Sequence, residues 1–296
     1  DWYGLGKVAD YPAIHQAAQA VFLAAERHGM LFSLCYEDRT IEYLIKTGAL
    51  QPEGTATHLK AMADWLDANW FGAAHYARID GRPLLLNFGP LAVKDKAAWD
   101  GAMRGRKSSP IWFGLHHLWR NGGADGGFTW VHGEAWREAK PGENPVTRLA
   151  ETYRYPSANP AEVIVSAYPG FKDVYAQPHP VLEHRDGETL RESLGVCMQG
   201  PWQTVQLVTW NDYGEGTMIE PTHEFGYKFL EIIQQARRDE LKQSFLITKE
   251  DLRLPAALLE LRRQGTHEER ELDFISRLIS QGACEEATRR IHAMNP

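Results

Sequence analysis

Two carboxylates, Asp212 and Glu215, lie three residues apart in the run Thr209-Trp210-Asn211-Asp212-Tyr213-Gly214-Glu215-Gly216-Thr217-Met218-Ile219-Glu220-Pro221. A pair of carboxyl groups can cleave a glycosidic bond: one protonates the departing oxygen, the other acts as base or nucleophile, and their separation sets the stereochemistry. Trp210 and Tyr213 beside them offer flat apolar faces with polar edges, which suit a sugar ring. The competing reading of the same residues is a solvated loop carrying two acids.

The run has to be positioned by what precedes it, a β-branched apolar stretch that reads as a strand from Val205 to Thr209 and that Gly214 and Gly216 end abruptly. Further strands are predicted at Leu31 to Tyr36, Pro83 to Phe88, Ile111 to Leu115, Phe128 to His132 and Val163 to Ala167, with a stub at Asp1 to Gly4. Amphipathic helices alternate with them. One runs from Ala13 to His28 and stops at Gly29; another sets Leu59, Met62, Ala63, Leu66 and Trp70 on one stripe. Others fit Lys96 to Arg104, Pro145 to Tyr153, Glu188 to Met198 and Phe225 to Arg238.

Six or seven such βα units predict an α/β fold, a (β/α)8 TIM-type barrel over 1–243 whose first βα unit is missing or lies upstream. After Ser244 only charged helices follow, at Pro255 to Arg263, Glu269 to Ser280 and Glu285 to Met294, giving a small helical appendage over 244–296 with Arg and Glu on a solvated face.

In a barrel the chemistry sits on the loops after the strands. Those positions carry Trp2 and Tyr3, Glu37 and Asp38, Asn87 and Phe88, His116 and His117, Trp130, Tyr168 to Asp173, and Trp210 to Glu215. Polar and aromatic groups are expected to converge on one rim.

Composition narrows the function classes. The 296 residues carry a net charge of −7 and scattered basic residues, the clearest cluster being Arg104, Arg106 and Lys107, so no nucleic-acid footprint is expected. No apolar run has the length of a membrane span, and no signal sequence opens the chain. Because it begins at Asp1 rather than Met, an upstream segment is expected to have been removed, and a periplasmic or extracellular setting is slightly favoured. Cys35, Cys197 and Cys284 fit neither a disulfide framework nor a zinc ribbon and read as core thiols. Ten tryptophans and eleven tyrosines are a bias toward sugar-compatible surfaces as well as toward core filling. The motifs of serine hydrolases, P-loop nucleotidases, zincins and dinucleotide-binding folds are absent. Gly122 to Gly127 reads as a flexible rim loop and not a phosphate cradle, since a strand pattern follows it.

Asp1-Trp2-Tyr3-Gly4, Tyr168-Pro169-Gly170-Phe171-Lys172-Asp173 and Thr209 to Thr217 together resemble glycoside hydrolase families 71 and 99, which include α-1,3-glucanases and endo-α-mannosidases on a (β/α)8 barrel. The resemblance spans about residues 1 to 237 and leaves out the helical tail. It implies that Asp212 and Glu215 are the catalytic carboxylates and that the partner is a glycan. In the endo-mannosidase-like family the first acid is a Glu that deprotonates the substrate's own 2-hydroxyl. This chain has Asp there, as in the glucanase-like family, while Gly216 to Pro221 looks like the endo-mannosidase side. The shorter Asp leaves room for a water and favours inversion, for which the carboxyl separation is about 6.5–9.5 Å against about 5–5.5 Å for retention.

Glu215 is then expected to be the general acid, its pKa raised by burial beside Trp210 and Tyr213, and Asp212 the base. Trp2, Tyr3, Asn87, Trp130, Tyr168, Trp210, Asn211 and Tyr213 are the expected substrate contacts, joined by Glu37, His116 and Asp173. Glu37 could equally pair with Arg39, and Asp173 could equally cap its turn. On a strand, His116 and His117 point to opposite faces, so a two-histidine metal site there is not expected; His132, on the face of Trp130, reads as a satisfied histidine. No metal or other cofactor is called for. Alternatives in other classes are a non-catalytic carbohydrate-binding or polysaccharide-biosynthesis-associated barrel and a metal-dependent hydrolase using His116 or His132. Glycan identity, linkage and oligomeric state are not legible.

Overall fold

A computed structural model of the chain describes residues 1–131, 145–154, 159–176, 181–241 and 246–294. His132, the expected end of one strand, lies outside them. Among the described residues nine strands occur in chain order: β1 Leu34–Tyr36, β2 Arg78–Ile79, β3 Arg82–Asn87, β4 Ile111–Leu115, β5 Gly126–Phe128, β6 Val163–Ala167, β7 Phe171–Lys172, β8 Val181–Leu182 and β9 Thr204–Leu207. Cα packing divides the chain into two compact units, Asp1–Ser166 with Gly200–Gln206, and Ala167–Gln199 with Leu207–Pro296.

The main sheet runs β1-β3-β4-β5-β6-β9, with β2 added antiparallel to β3. Pairs β1/β3, β3/β4, β4/β5 and β5/β6 are parallel. Among the described residues the fold is therefore mixed α/β with a parallel sheet forming half of a barrel, where the sequence predicts an eight-fold barrel with its first βα unit missing or upstream. The predicted stub is a single parallel bridge, Trp2 to Tyr36. The β2/β3 hairpin turns on Asp80 (φ +49°) and Gly81 (φ +76°), the two left-handed residues that a tight hairpin turn demands.

Helices in the first unit are α1 Tyr11–Arg27, α2 Thr40–Lys46, α3 Thr55–Asn69, α4 Lys96–Met103, the single turn α5 Trp119–Gly122, and α6 Pro145–Arg154. Side-chain alternation sorts the sheet into two faces. On one, Leu34, Tyr36, Leu85 and Trp112 pack with Leu59, Met62, Ala63 and Leu66 of α3; on the other, Leu84, Ile111, Phe113, Leu115, Phe128 and Ile164 form a second apolar layer.

The glycine run is not a flexible rim loop. Gly122 ends α5, Gly123 closes it at φ +71°, and Gly126 and Gly127 are strand residues of β5. A Cβ on Gly126 would collide with the Phe113 ring and lie 2.6 Å from the Glu162 carbonyl; one on Gly127 would lie 2.6 Å from Trp119. Only glycine lets the neighbours approach that closely.

In the second unit, β7 and β8 pair antiparallel, followed by α7 Glu188–Gln199 and α8 Lys228–Leu241. Three helices complete it: α9 Leu254–Gln264, α10 Glu269–Ser280 and α11 Cys284–Met294. They share one apolar cluster built on Leu258, Leu261, Leu272, Ile275, Ala287 and Ile291. Their Arg and acidic side chains pair on the surface, as in Arg262 to Asp273 at 2.7 Å and Arg290 to Glu286 at 2.7 Å.

Candidate functional site

The acid-bearing segment is a loop held by its own hydrogen bonds. Thr209 N–H donates to the Thr217 carbonyl (2.8 Å), and Ile219 N–H returns to the Thr209 carbonyl (3.0 Å), so the two limbs are tied at their base. The hydroxyls of Thr209 and Thr217 meet at 2.8 Å. Inside the loop, Asp212 N–H donates to Thr209 Oγ1 (3.0 Å), and Asp212 Oδ1 accepts from Glu215 N–H (3.0 Å). That last bond ties the Asp212 carboxylate to the Glu215 backbone, by the side-chain-to-backbone bonding for which short polar residues are favoured in turns.

The segment around β7 braces the loop from outside. Lys172 N–H donates to the Glu215 carbonyl (2.7 Å) and Val174 N–H to the Gly214 carbonyl (3.0 Å). The His184 ring sits 2.9 Å from the Gly216 carbonyl through Nε2. Gly216 is left-handed (φ +64°), with Lys172 close enough to crowd any side chain there.

Trp210 is 56% exposed and Tyr213 55%, Asn211 is also exposed, and Glu215 is half-buried. Tyr213 donates to Glu220 Oε1 at 2.8 Å. Asp173 Oδ1 accepts from the Tyr175 and Ala176 amides at 2.8 and 3.2 Å, so the turn-capping reading holds for it. Tyr168 is fully buried, its backbone tied both ways to the Ser193 hydroxyl, and it supports the unit from within. Tyr175, which the sequence reading passed over, is largely exposed and its ring lies against Gly214.

In the first unit, the residues after β1 form a second group. Glu37 is 8% exposed and accepts from Arg39 Nε at 3.0 Å, so the ion-pair alternative is realised. The Arg39 guanidinium lies 5.9 Å from the centre of the Phe88 ring, and Phe88 meets Trp130 edge-on at 5.1 Å. A cavity of about 460 Å³ opens beside Glu37 and Arg39, with Tyr3, Tyr11 and Tyr43 in its wall.

Two expected rim residues are not on a rim. Trp2 is 1% exposed, stacked on Trp65 and donating Nε1–H to His15 Nδ1 at 3.1 Å. It belongs to the core. Asn87 follows Leu85 by two and therefore shares the helix-packed face of β3; Phe88 takes the opposite face and is the residue that meets Trp130.

The two histidines differ from expectation as well. β4 ends at Leu115, so strand alternation no longer governs His116 and His117, and their rings meet at 4.9 Å. Among the described residues no three His, Cys, Asp or Glu side chains gather as a metal site would require.

Asp38 was not singled out for a role, yet it organises this end of the sheet. Fully buried, it accepts from the amides of Leu91 (2.9 Å), Ala92 (3.1 Å) and Val93 (3.0 Å). Burial pushes its carboxyl up to about 6, against the pull of those three amides. An acid directly after a strand was its sequence signal.

By structure, the chain is similar to the GH99 endo-alpha-mannosidase from Bacteroides thetaiotaomicron. Two structures of that enzyme, one in complex with BIS-TRIS-propane, align at 12% identity and TM-score 0.48, over 77% and 75% of this chain and 85% and 80% of theirs. A glycoside hydrolase-like protein aligns at 12% identity and TM-score 0.46, over 75% of this chain and 85% of its own. The likeness is one of fold. No family model matches the chain, and no curated protein does.

Proposed function

We propose that this protein is a glycoside hydrolase acting on an α-linked polysaccharide or oligosaccharide of the α-glucan or α-mannan type. The observation that supports it most is the acid loop: it carries both carboxylates, its turn is held by the Asp212 carboxylate accepting from the Glu215 amide, and three exposed aromatics, Trp210, Tyr213 and Tyr175, stand beside it. Large exposed rings around a fixed polar group do nothing for a core and suit the apolar face of a sugar.

In the proposed reaction Glu215 gives its proton to the departing glycosidic oxygen. Asp212 takes a proton from a water whose oxygen bonds to the anomeric carbon as the old C–O bond breaks. The short Asp212 side chain favours this inverting course over direct attack or use of the sugar's own hydroxyl.

A second reading has its own observation. Asp212 already spends one oxygen on the Glu215 amide, a bond a purely glycan-binding loop would also need. Digestion of α-1,3-glucan and α-mannan panels separates the two: the hydrolase reading expects new reducing ends, and binding of those glycans with none released would replace it.

A further inference from the structure

We infer that the first unit carries a sugar-binding pocket of its own between the starts of α1 and α2, built from Tyr3, Tyr11, Tyr43, Asp10, Glu37 and Arg39 and shaped for a neutral hexose. The inference takes its ligand class from the glycan reading above. At about 460 Å³ the cavity falls within the range of small-ligand sites.

Three features here go beyond what packing alone selects. Asp10 stands at the N-cap of α1, where a carboxylate normally accepts an amide hydrogen of the first turn, yet its side chain makes no such bond. Ala9, in the same wall, holds φ +47°, a left-handed conformation that costs a non-glycine residue energy. Tyr43 is 42% exposed on α2 although its ring reaches Tyr11 at 6.0 Å. A missing cap, a strained backbone and an uncovered ring in one cavity point to a ligand and not to packing.

The rest of the pocket is fixed. Tyr11 is buried and its hydroxyl is tied to the Thr40 carbonyl at 3.0 Å, with Tyr3 edge-on to it at 5.3 Å, so it forms a rigid floor. Glu37 holds the Arg39 guanidinium at 3.0 Å, leaving further guanidinium donors to turn outward from a side chain that is 56% exposed. A pyranose offers one apolar face to tyrosine rings, and its hydroxyls both donate to carboxylates and accept from a guanidinium. Two carboxylates against one guanidinium disfavour uronates and sulfated sugars.

The test uses the full chain carrying Glu215→Gln, so that ligand is not consumed, titrated by calorimetry with an α-1,3-linked glucotetraose, with an α-mannotetraose, and with an oligogalacturonate as the charged control. Binding of at least one neutral tetraose is expected, weakened about tenfold by Tyr43→Ala and by Asp10→Asn, with the unfolding temperature unchanged by either exposed substitution. Absence of binding, binding indifferent to both substitutions, or preference for an oligogalacturonate would overturn the inference. The hydrolase reading is judged separately, by reducing ends released by the unsubstituted chain. Binding that depends on Tyr43 without any hydrolysis would remove that reading alone, and hydrolysis with binding indifferent to Tyr43 would remove only the pocket.

Discussion

Asp212 is asked to do two things, and substitutions can separate them. Asparagine keeps an oxygen for the Glu215 amide, so Asp212→Asn is expected to preserve the loop while lowering hydrolysis by at least about 100-fold, the scale of a lost proton-transfer group. Asp212→Ala should lose both, with a further stability cost of about 1 kcal/mol for the missing turn bond. Thermal melts beside rate measurements distinguish the two, and an Asn variant as active as the parent would remove Asp212 from the chemistry. Asp38 carries a pH signature. Burial raises its carboxyl to about 6, so the fold favours the protonated form, and that stabilisation is complete below the ordinary carboxylate range and lost as pH rises through about 6. Relative to Asp38→Asn, the parent should therefore lose on the order of 2 kcal/mol between pH 4 and pH 7.5. Urea midpoints at the two ends of that range give the answer; a difference that does not change with pH would contradict it. At this scale the sequence disclosed residue types but not their directions. Asn87 and Phe88 were equally placed until the phase of β3 was known, and Trp2 had the composition of a sugar contact while its indole was committed to His15 and Trp65.

Elements were legible where side chains carry a pattern. β4 at Ile111–Leu115, β6 at Val163–Ala167 and α10 at Glu269–Ser280 lie where periodicity predicts them. Where side chains are missing the pattern fails. Gly126 and Gly127 give β5 no alternation to read, so the pattern predicts its start two residues late, at Phe128, and reads its glycines as a loop. Helix α2, seven residues long, is too short for a stripe to stand out, and it carries Tyr43 of the proposed pocket. Gly126→Ala is expected to destabilise the first unit by about 1–3 kcal/mol, because Phe113 and the Glu162 carbonyl must both yield. Unaltered stability in a denaturant titration would mean β5 has more room than its packing shows. In the helical tail, Ile275 is fully buried at the centre of the α9, α10 and α11 cluster. Ile275→Ala should cost about 2–5 kcal/mol there, read as lost hydrogen-exchange protection across the three helices; protection left intact would show that the cluster is not what holds them.

For the molecule as a whole, the sequence points to a barrel-derived α/β fold, and among the described residues the sheet keeps that alternation of strands and helices over half a barrel. No described helix is long and apolar enough to cross a membrane. The acid loop was recognisable from Trp210, Asp212, Tyr213 and Glu215 alone. Its bracing by Lys172, Val174 and His184 was not, because those contacts join segments far apart in the chain through backbone groups that no side-chain pattern announces. Glycan hydrolysis by that loop is tested by product analysis: α-1,3-glucan and α-mannan are digested with the unsubstituted chain and with Glu215→Gln, and the first-formed anomer is read by proton NMR. The expected result is release of reducing ends of inverted configuration by the unsubstituted chain, reduced at least about 100-fold in the variant. Retained configuration would overturn the inverting course, and equal release by both proteins, or none by either, would contradict hydrolysis by the loop.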